Sequence, residues 1–289
     1  MKSIVSFIFK RILGAFWYLH KFLVFKNKKL KNKHKGETCF ILGNGSSLKY
    51  YDLSKISNRF PAIVCSYSLI DKRIEGLNIQ YFVVAETYFL YSLLYNARPL
   101  TRGFQKNKMK PIFEKILHRF QNITTIISIT NFYSSVCRKV NVNYFHHFGD
   151  RYSSSYDLAG VFSTCTGSID MMFGLAKYLG FSKAIVLGCD YLSVPPMQGH
   201  FYGDYDPFTG DEKDTREYRA RVKKMTEGLD ILLILPEGFS STEFAFDSYE
   251  NFFGIQKKYQ KNYEFIDSEY LELLRSAEKL DQAIITKPA

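Results

Sequence analysis

Within residues 38–48, Thr-Cys-Phe-Ile-Leu-Gly-Asn-Gly-Ser-Ser-Leu, a short apolar run breaks into a Gly-Asn-Gly turn followed by two hydroxyl residues. That order reads as a strand, a tight turn and the start of a helix. Gly43 and Gly45 allow positive φ and close approach of a ligand, and Ser46 or Ser47 can cap the helix. With Asn44 between them, the turn presents N–H groups and a positive dipole end that suit a phosphate or carboxylate. An ordinary βα turn is the competing reading. Neither G-x-x-x-x-G-K-[ST] nor G-x-G-x-x-G occurs there, so the two common nucleotide fingerprints are absent.

From residue 38 onward, short β-branched or aromatic runs alternate with longer helical patterns, which points to an α/β sheet of mostly parallel strands. The runs predict strands at Cys39–Leu42, Ala62–Ser66, Tyr81–Ala85, Thr124–Ile129, Lys183–Leu187 and Tyr263–Ile266. Helices are predicted at Tyr88–Asn96, Lys108–Phe120, Ser168–Leu179 and Ser248–Tyr259. At 289 residues the chain can bury a substantial core, and no repeat or low-complexity tract interrupts it. Cys39, Cys65, Cys137, Cys165 and Cys189 form no C-x-x-C pair. Their odd number and wide spacing argue against a disulfide framework or a zinc site, and fit a reducing cytoplasm.

The net charge of +11 is concentrated at one end: residues 1–35 carry Lys2, Lys10, Arg11, Lys21 and six further lysines from Lys26 to Lys35, and no acid. The body is close to neutral, with only modest basic runs, which disfavours nucleic acid as a partner. Residues 3–25 are apolar but broken by Lys10, Arg11 and Lys21, too interrupted for a spanning helix. On a helical wheel Val5, Ile8, Phe9, Ile12, Ala15, Phe16, Leu19 and Leu23 share one face. Residues 1–36 are therefore expected to be a basic amphipathic helix lying on an anionic membrane, with docking on the domain or a partner subunit as the alternative.

In open α/β sheets ligands bind beyond the carboxyl ends of strands, which directs attention to Gly43–Gly45, Ser66, Glu86 and Gly188-Cys189-Asp190. A second hydroxyl- and glycine-rich turn, Ser163 to Ser168, precedes an apolar helix, with Thr166, Gly167 and Ser168 as a possible second anion cradle. His200 lies in the loop Gly199-His200-Phe201-Tyr202-Gly203-Asp204-Tyr205-Asp206. A neutral imidazole there can accept an alcohol proton, with a neighbouring carboxylate to orient it. His146 and His147, in an aromatic run, read as core filling, and no metal-ligand spacing is present, so no cofactor or metal is expected.

The ordered set of Phe-Ile-Leu-Gly-Asn-Gly-Ser-Ser-Leu, Val-Cys-Ser-Tyr, the Thr164–Gly167 turn, Gly180-Phe181-Ser182-Lys183-Ala184-Ile185-Val186-Leu187-Gly188-Cys189-Asp190 and His200-Phe201-Tyr202-Gly203 resembles the bacterial glycosyltransferase family 42 sialyltransferases and the related motility-accessory-factor proteins. The resemblance covers about residues 38 to 270. It implies a Rossmann-like α/β domain over 37–289, with a lid loop, binding a CMP-activated nonulosonic acid such as sialic acid without metal. It places Gly43 to Ser47 at the cytidylate, Tyr191 near the leaving phosphate, and either His200 or Asp204 as general base. Ser66 stands where these enzymes usually carry an Asn, Glu86 where they carry an amide, and Ser163 where they hold an Arg, which leaves room for another sugar.

The resulting expectation is a glycosyltransferase at the inner face of the cell membrane that builds a bacterial surface glycan such as lipopolysaccharide or capsule. It moves a sugar from a nucleotide-sugar donor to a glycan or glycolipid hydroxyl, and could form homo-oligomers. His200 or Asp204 takes the proton, and Tyr191 or Tyr202 assists the departing phosphate. Two alternatives keep the fold. One is a Mg-dependent pyrophosphokinase resembling the methanogen pterin enzyme, with Glu86, Asp190 and Asp204 as carboxylates. The other is a non-catalytic nucleotide-binding member of a glycan-assembly complex.

Overall fold

The protein is described by a computed structural model over residues 18–85, 111–132, 142–146, 156–162, 167–256 and 258–285. The predicted helix Tyr88–Asn96, together with Glu86, Cys137, His147, Cys165 and Thr166, lies outside the described residues.

Eight parallel strands form one sheet. They are β1 (Thr38–Leu42), β2 (Ala62–Cys65), β3 (Ile79–Val84), β4 (Thr124–Ser128), β5 (Val142–Phe145), β6 (Lys183–Leu187), β9 (Asp230–Leu235) and β10 (Ala245–Ser248). Between β6 and β9, β7 (Met197–Gln198) and β8 (Phe208–Thr209) make a small antiparallel ladder of their own. The spatial order is β10-β9-β6-β1-β2-β3-β4-β5. From β1 the chain steps outward to β5, then returns past β1 and builds the other half from β6. The order therefore reverses between β1 and β6, and a crevice opens at their carboxyl ends.

The central strands are covered on both faces, which is why they read as continuous apolar runs rather than alternating ones. Phe40, Leu42, Val64, Phe82, Val84, Ile185 and Leu187 point into one apolar layer. It is completed by Ile112, Phe113 and Ile116 of a helix over 111–119 and by Tyr270, Leu271 and Leu274 of the C-terminal helix. Cys39, Ile41, Ile63, Val83, Ala184 and Val186 point into the opposite layer. That layer is closed by α1 (Ser168–Leu179) and by Val222 and Met225 of α2 (Lys213–Met225). The C-terminal helix, Ser268–Ile285, is α3. Burial pushes the Cys39 and Cys189 thiols well above the usual range.

Sequence and structure part company at three places. Tyr263–Ile266, expected as a strand, begins instead within a helical turn, Asn262–Phe265. The Lys261 N–H donates to Glu264 Oε1 at 2.7 Å and starts that turn, and only Ile266 bridges, antiparallel to Asp71. The helix expected over Ser248–Tyr259 stops after Phe253, where Gly254 takes φ 67°. Strands β5, β7, β8, β9 and β10 and helices α2 and α3 are additional.

Residues 23–34, from the segment expected to form a separate basic helix, are packed onto the sheet. Asn27 is fully buried, and its Nδ2 donates to Tyr144 O at 2.7 Å and Leu158 O at 2.8 Å while its Oδ1 accepts from Asn143 Nδ2 at 2.8 Å. Losing that side chain removes three hydrogen bonds from a dry site. Asn27→Ala is expected to lower unfolding free energy by about 2–4 kcal/mol in denaturant titration. A change below about 0.5 kcal/mol contradicts this account of the segment.

Candidate functional site

The crevice between β1 and β6 opens into a cavity of about 560 Å³, within the range that holds a nucleotide-sized ligand. Asn44 and Gly45 after β1, Ser66 after β2, Gly167 and Ser168 at the start of α1, Asp190 and Tyr191 after β6, and His200 and Tyr202 of the loop line it. The two glycine-and-hydroxyl corners and the loop histidine therefore meet around one cavity. Gly45 and His200 pair directly as an antiparallel bridge, and the Phe201 N–H donates to Asn44 O at 3.1 Å.

The Gly43–Ser47 corner is built differently from the expected open cradle. Gly43 N–H donates to Leu187 O and Gly45 N–H to Gly188 O, both at 2.8 Å, so the β1–β6 ladder runs past its strand ends. The Ser47 N–H reaches Asp190 Oδ2 at 2.8 Å and its hydroxyl reaches Oδ1 at 2.5 Å. Ser46 Oγ donates to Gln198 O at 2.8 Å. The anion in this corner is the chain's own Asp190. Ser46–Tyr50 is a five-residue 3₁₀ turn whose cap residue is Gly45, with no side-chain cap, so neither serine fills the capping role expected of it. A Cβ on Gly45 would overlap the Asp190 carboxylate, which accounts for glycine there. Gly43, Ser46 and Ser47 stand behind the cavity wall, and Asn44 and Gly45 are the part of the turn that reaches it.

Burial raises Asp190 from the usual 3.8 to about 6, outweighing the hydrogen bonds from Ser47 and Ser46 that pull the other way. Ser66 holds φ 45°, uncommon for a residue with a Cβ, and sets its hydroxyl 3.2 Å from that of Ser168. Ser68 Oγ donates to Asn44 Oδ1 at 2.8 Å, leaving the amide nitrogen as the donor end. On the opposite wall, Thr215 and Tyr218 of α2 reach the cavity, and Tyr218 Oη lies 3.3 Å from buried Asp170, which also accepts from Arg221 at 2.9 Å.

The loop carrying His200 is closed at its base by the β7–β8 ladder. Its pin is Tyr205, whose ring lies against Gly199 and Gly203 where any Cβ would collide. The Tyr205 hydroxyl accepts the His200 N–H at 2.9 Å. Lys49, buried at 1% exposure, donates to Gly203 O at 2.8 Å and Tyr205 O at 2.5 Å. The His200 ring stacks on Tyr202 with centroids 5.0 Å apart. Burial lowers its pKa below 6.5, partly opposed by a hydrogen bond with the Asn44 backbone, so the imidazole is neutral at pH 7.

Asp204, the other candidate base, does not line the cavity. It accepts from Asn262 Nδ2 and Arg275 Nε, both at 2.7 Å, and those bonds hold its carboxyl below the ordinary value. Asp206 accepts from Lys261 Nζ at 2.8 Å. Both carboxylates tie the loop to the C-terminal region. Among the described residues no group of three His, Cys, Asp or Glu side chains is placed to hold a metal ion. Lys49 and Tyr218 carry no local sequence signal, since each acts through contacts distant along the chain, and neither Tyr205 nor Thr215 is marked by a motif.

No family model matches the chain, and no curated protein matches it. Among solved structures it is similar to the Campylobacter jejuni sialyltransferase CstII in complex with the substrate analogue cytidine-5'-monophosphate, at 16% identity and TM-score 0.43, over 84% of this chain and 98% of that one. CstII with CMP-3FNeuAc gives 13% identity and TM-score 0.43 over 83% and 99%. The monofunctional alpha-2,3-sialyltransferase Cst-I of the same organism gives 14% and 0.41 over 86% and 96%. At such scores the likeness assigns no residue a role.

The raised pKa of Asp190 has a signed consequence. The folded state binds this proton more tightly than the unfolded chain, so the group's contribution to stability falls as pH rises from about 4 to about 6. Comparing wild type with Asp190→Asn, the difference in unfolding free energy is expected to shift by about 3 kcal/mol between pH 4 and pH 7. A pH-independent difference contradicts the burial argument.

Proposed function

We propose that this protein is a glycosyltransferase that moves an acidic sugar of the nonulosonic class from a CMP-activated donor to a glycan hydroxyl. The observation that carries the reading is the direct pairing of Gly45 with His200, which puts a neutral imidazole at the rim of a nucleotide-sized cavity. The resemblance of the ordered motifs to those of the family 42 sialyltransferases supports the choice of donor. Asn44, Ser66 and Ser168 present an amide and two hydroxyls to the nucleotide, and Gly45 lines the cavity beside them. Glu86 and Thr166 remain donor-side candidates from the sequence.

In this reading the acceptor hydroxyl attacks the anomeric carbon as the bond from that carbon to the phosphate oxygen breaks. His200 takes the hydroxyl proton, and CMP departs with the electron pair. Tyr191, 40% exposed on the cavity wall, and Tyr202, stacked on His200, can donate phenolic hydrogen bonds to the developing phosphate charge. Asp204 already accepts from an amide and a guanidinium on the far side of the loop, which favours His200 as the base. The same engagement of Asp190 and Asp204 disfavours a carboxylate-held Mg²⁺ and with it the pyrophosphokinase alternative.

His200→Ala is expected to lower sugar transfer by about 10²–10⁴-fold while leaving CMP affinity within about threefold. The acid limb of the wild-type pH–rate profile is expected below pH 6.5, because the ring must be neutral to accept the proton. Transfer by the variant at the wild-type rate removes His200 from the chemistry.

A further inference from the structure

The segment ahead of β1 has two unlike faces. Inward, Leu23, Val24, Asn27 and Leu30 pack into the domain, with Val24 and Asn27 fully buried. Outward, Tyr18, Leu19, Phe22 and Phe25 are 69%, 67%, 56% and 42% exposed. Tyr18, Lys21, Phe22, Phe25 and Lys28 recur at the spacing of a single helical face. The cations are held beside the rings, Lys21 Nζ 4.4 Å from the Tyr18 centroid and Lys28 Nζ 5.4 Å from that of Phe25. Lys26, Lys29, Lys31, Lys33 and Lys35 are exposed just beyond.

We propose that this face is a docking surface for an anionic lipid bilayer. Three large aromatic side chains on one stripe, with Leu19 at its flank, are left in water and need a cover. A row of lysines with no acid anywhere in residues 1–35 selects a negatively charged one and repels a second copy of itself. The rings seat at the level of the lipid headgroups, and the lysine stems carry their ammonium groups to the phosphates. The inward face of residues 23–30 is already taken by the protein, which fits attachment on the membrane surface. Leu19, exposed at the flank of the lipid-facing stripe, adds to it, whereas Leu23, expected on the same face as Leu19, is turned into the core. This attachment is independent of the donor chemistry.

The test is flotation of the full chain with phosphatidylcholine vesicles, with and without about 30% phosphatidylglycerol, in about 0.1 M salt. Recovery with the mixed vesicles is expected to exceed that with neutral ones by about tenfold. The triple variant Leu19→Ser, Phe22→Ser, Phe25→Ser is expected to lose most of that recovery at an unchanged thermal midpoint, because the inward face is untouched. Lys26→Gln, Lys28→Gln, Lys29→Gln is expected to abolish the preference for the anionic lipid. Equal recovery from both vesicle types, no flotation, or a triple variant that floats like wild type overturns the proposal. So does a wild-type dimer that the triple variant dissolves, which would assign the face to a second copy. CMP binding and turnover in solution are expected to be the same in these variants, so failure here is distinguishable from failure of the donor reading.

Discussion

A buried carboxylate organises this site. Asp190 sits where the strand order reverses, and its two oxygens take the main-chain and side-chain donors of Ser47 from the facing corner. Three residues that line the cleft are registered to that contact. Gly45 can approach only because it lacks a side chain, Tyr191 follows Asp190 directly, and His200 reaches the cavity by pairing with Gly45. The cost of burying the charge appears as a pKa near 6, a destabilisation the fold sustains at neutral pH to keep two crossovers in contact.

The loop is the second constraint. Its histidine is held by tertiary contacts rather than by regular secondary structure, with Tyr205 wedged between two glycines and Lys49 closing on the carbonyls of Gly203 and Tyr205. Asp204 and Asp206 bind outward to Arg275 and Lys261. The loop thus holds its shape over the cavity, with its two carboxylates satisfied on the side away from the cavity and the neutral ring facing in.

The sheet was legible because buried parallel strands leave apolar runs: Lys183–Leu187 and the helix Ser168–Leu179 have the bounds their sequences suggest. The run Asp230–Leu235, bounded by Gly228 and Pro236, carries the same apolar signal and forms a strand of the same sheet. Edge strand Ala245–Ser248 is half exposed and carries no such pattern. Tyr263 to Phe265 suggested a strand by aromatic content, and a local backbone bond to Glu264 decided for a turn. At the site, the carboxyl-end rule picks out Gly45, Ser66 and Asp190, whereas Ser168 and His200 stand out by their own hydroxyl- and glycine-rich turn and loop. The pairing of Asp190 with the Ser47 donors carries no such mark, because the two lie 143 residues apart in the chain, and no local pattern announces such a partner.

The central claim is that His200 is a neutral, cleft-facing base beside a nucleotide site. It is tested most directly by following the His200 ring resonances in an isotope-labelled sample through a pH titration with and without CMP. The account predicts titration below pH 6.5 and a clear displacement of the resonances when CMP is added. A ring that titrates at 6.5 like an exposed histidine and does not respond to the nucleotide would contradict it.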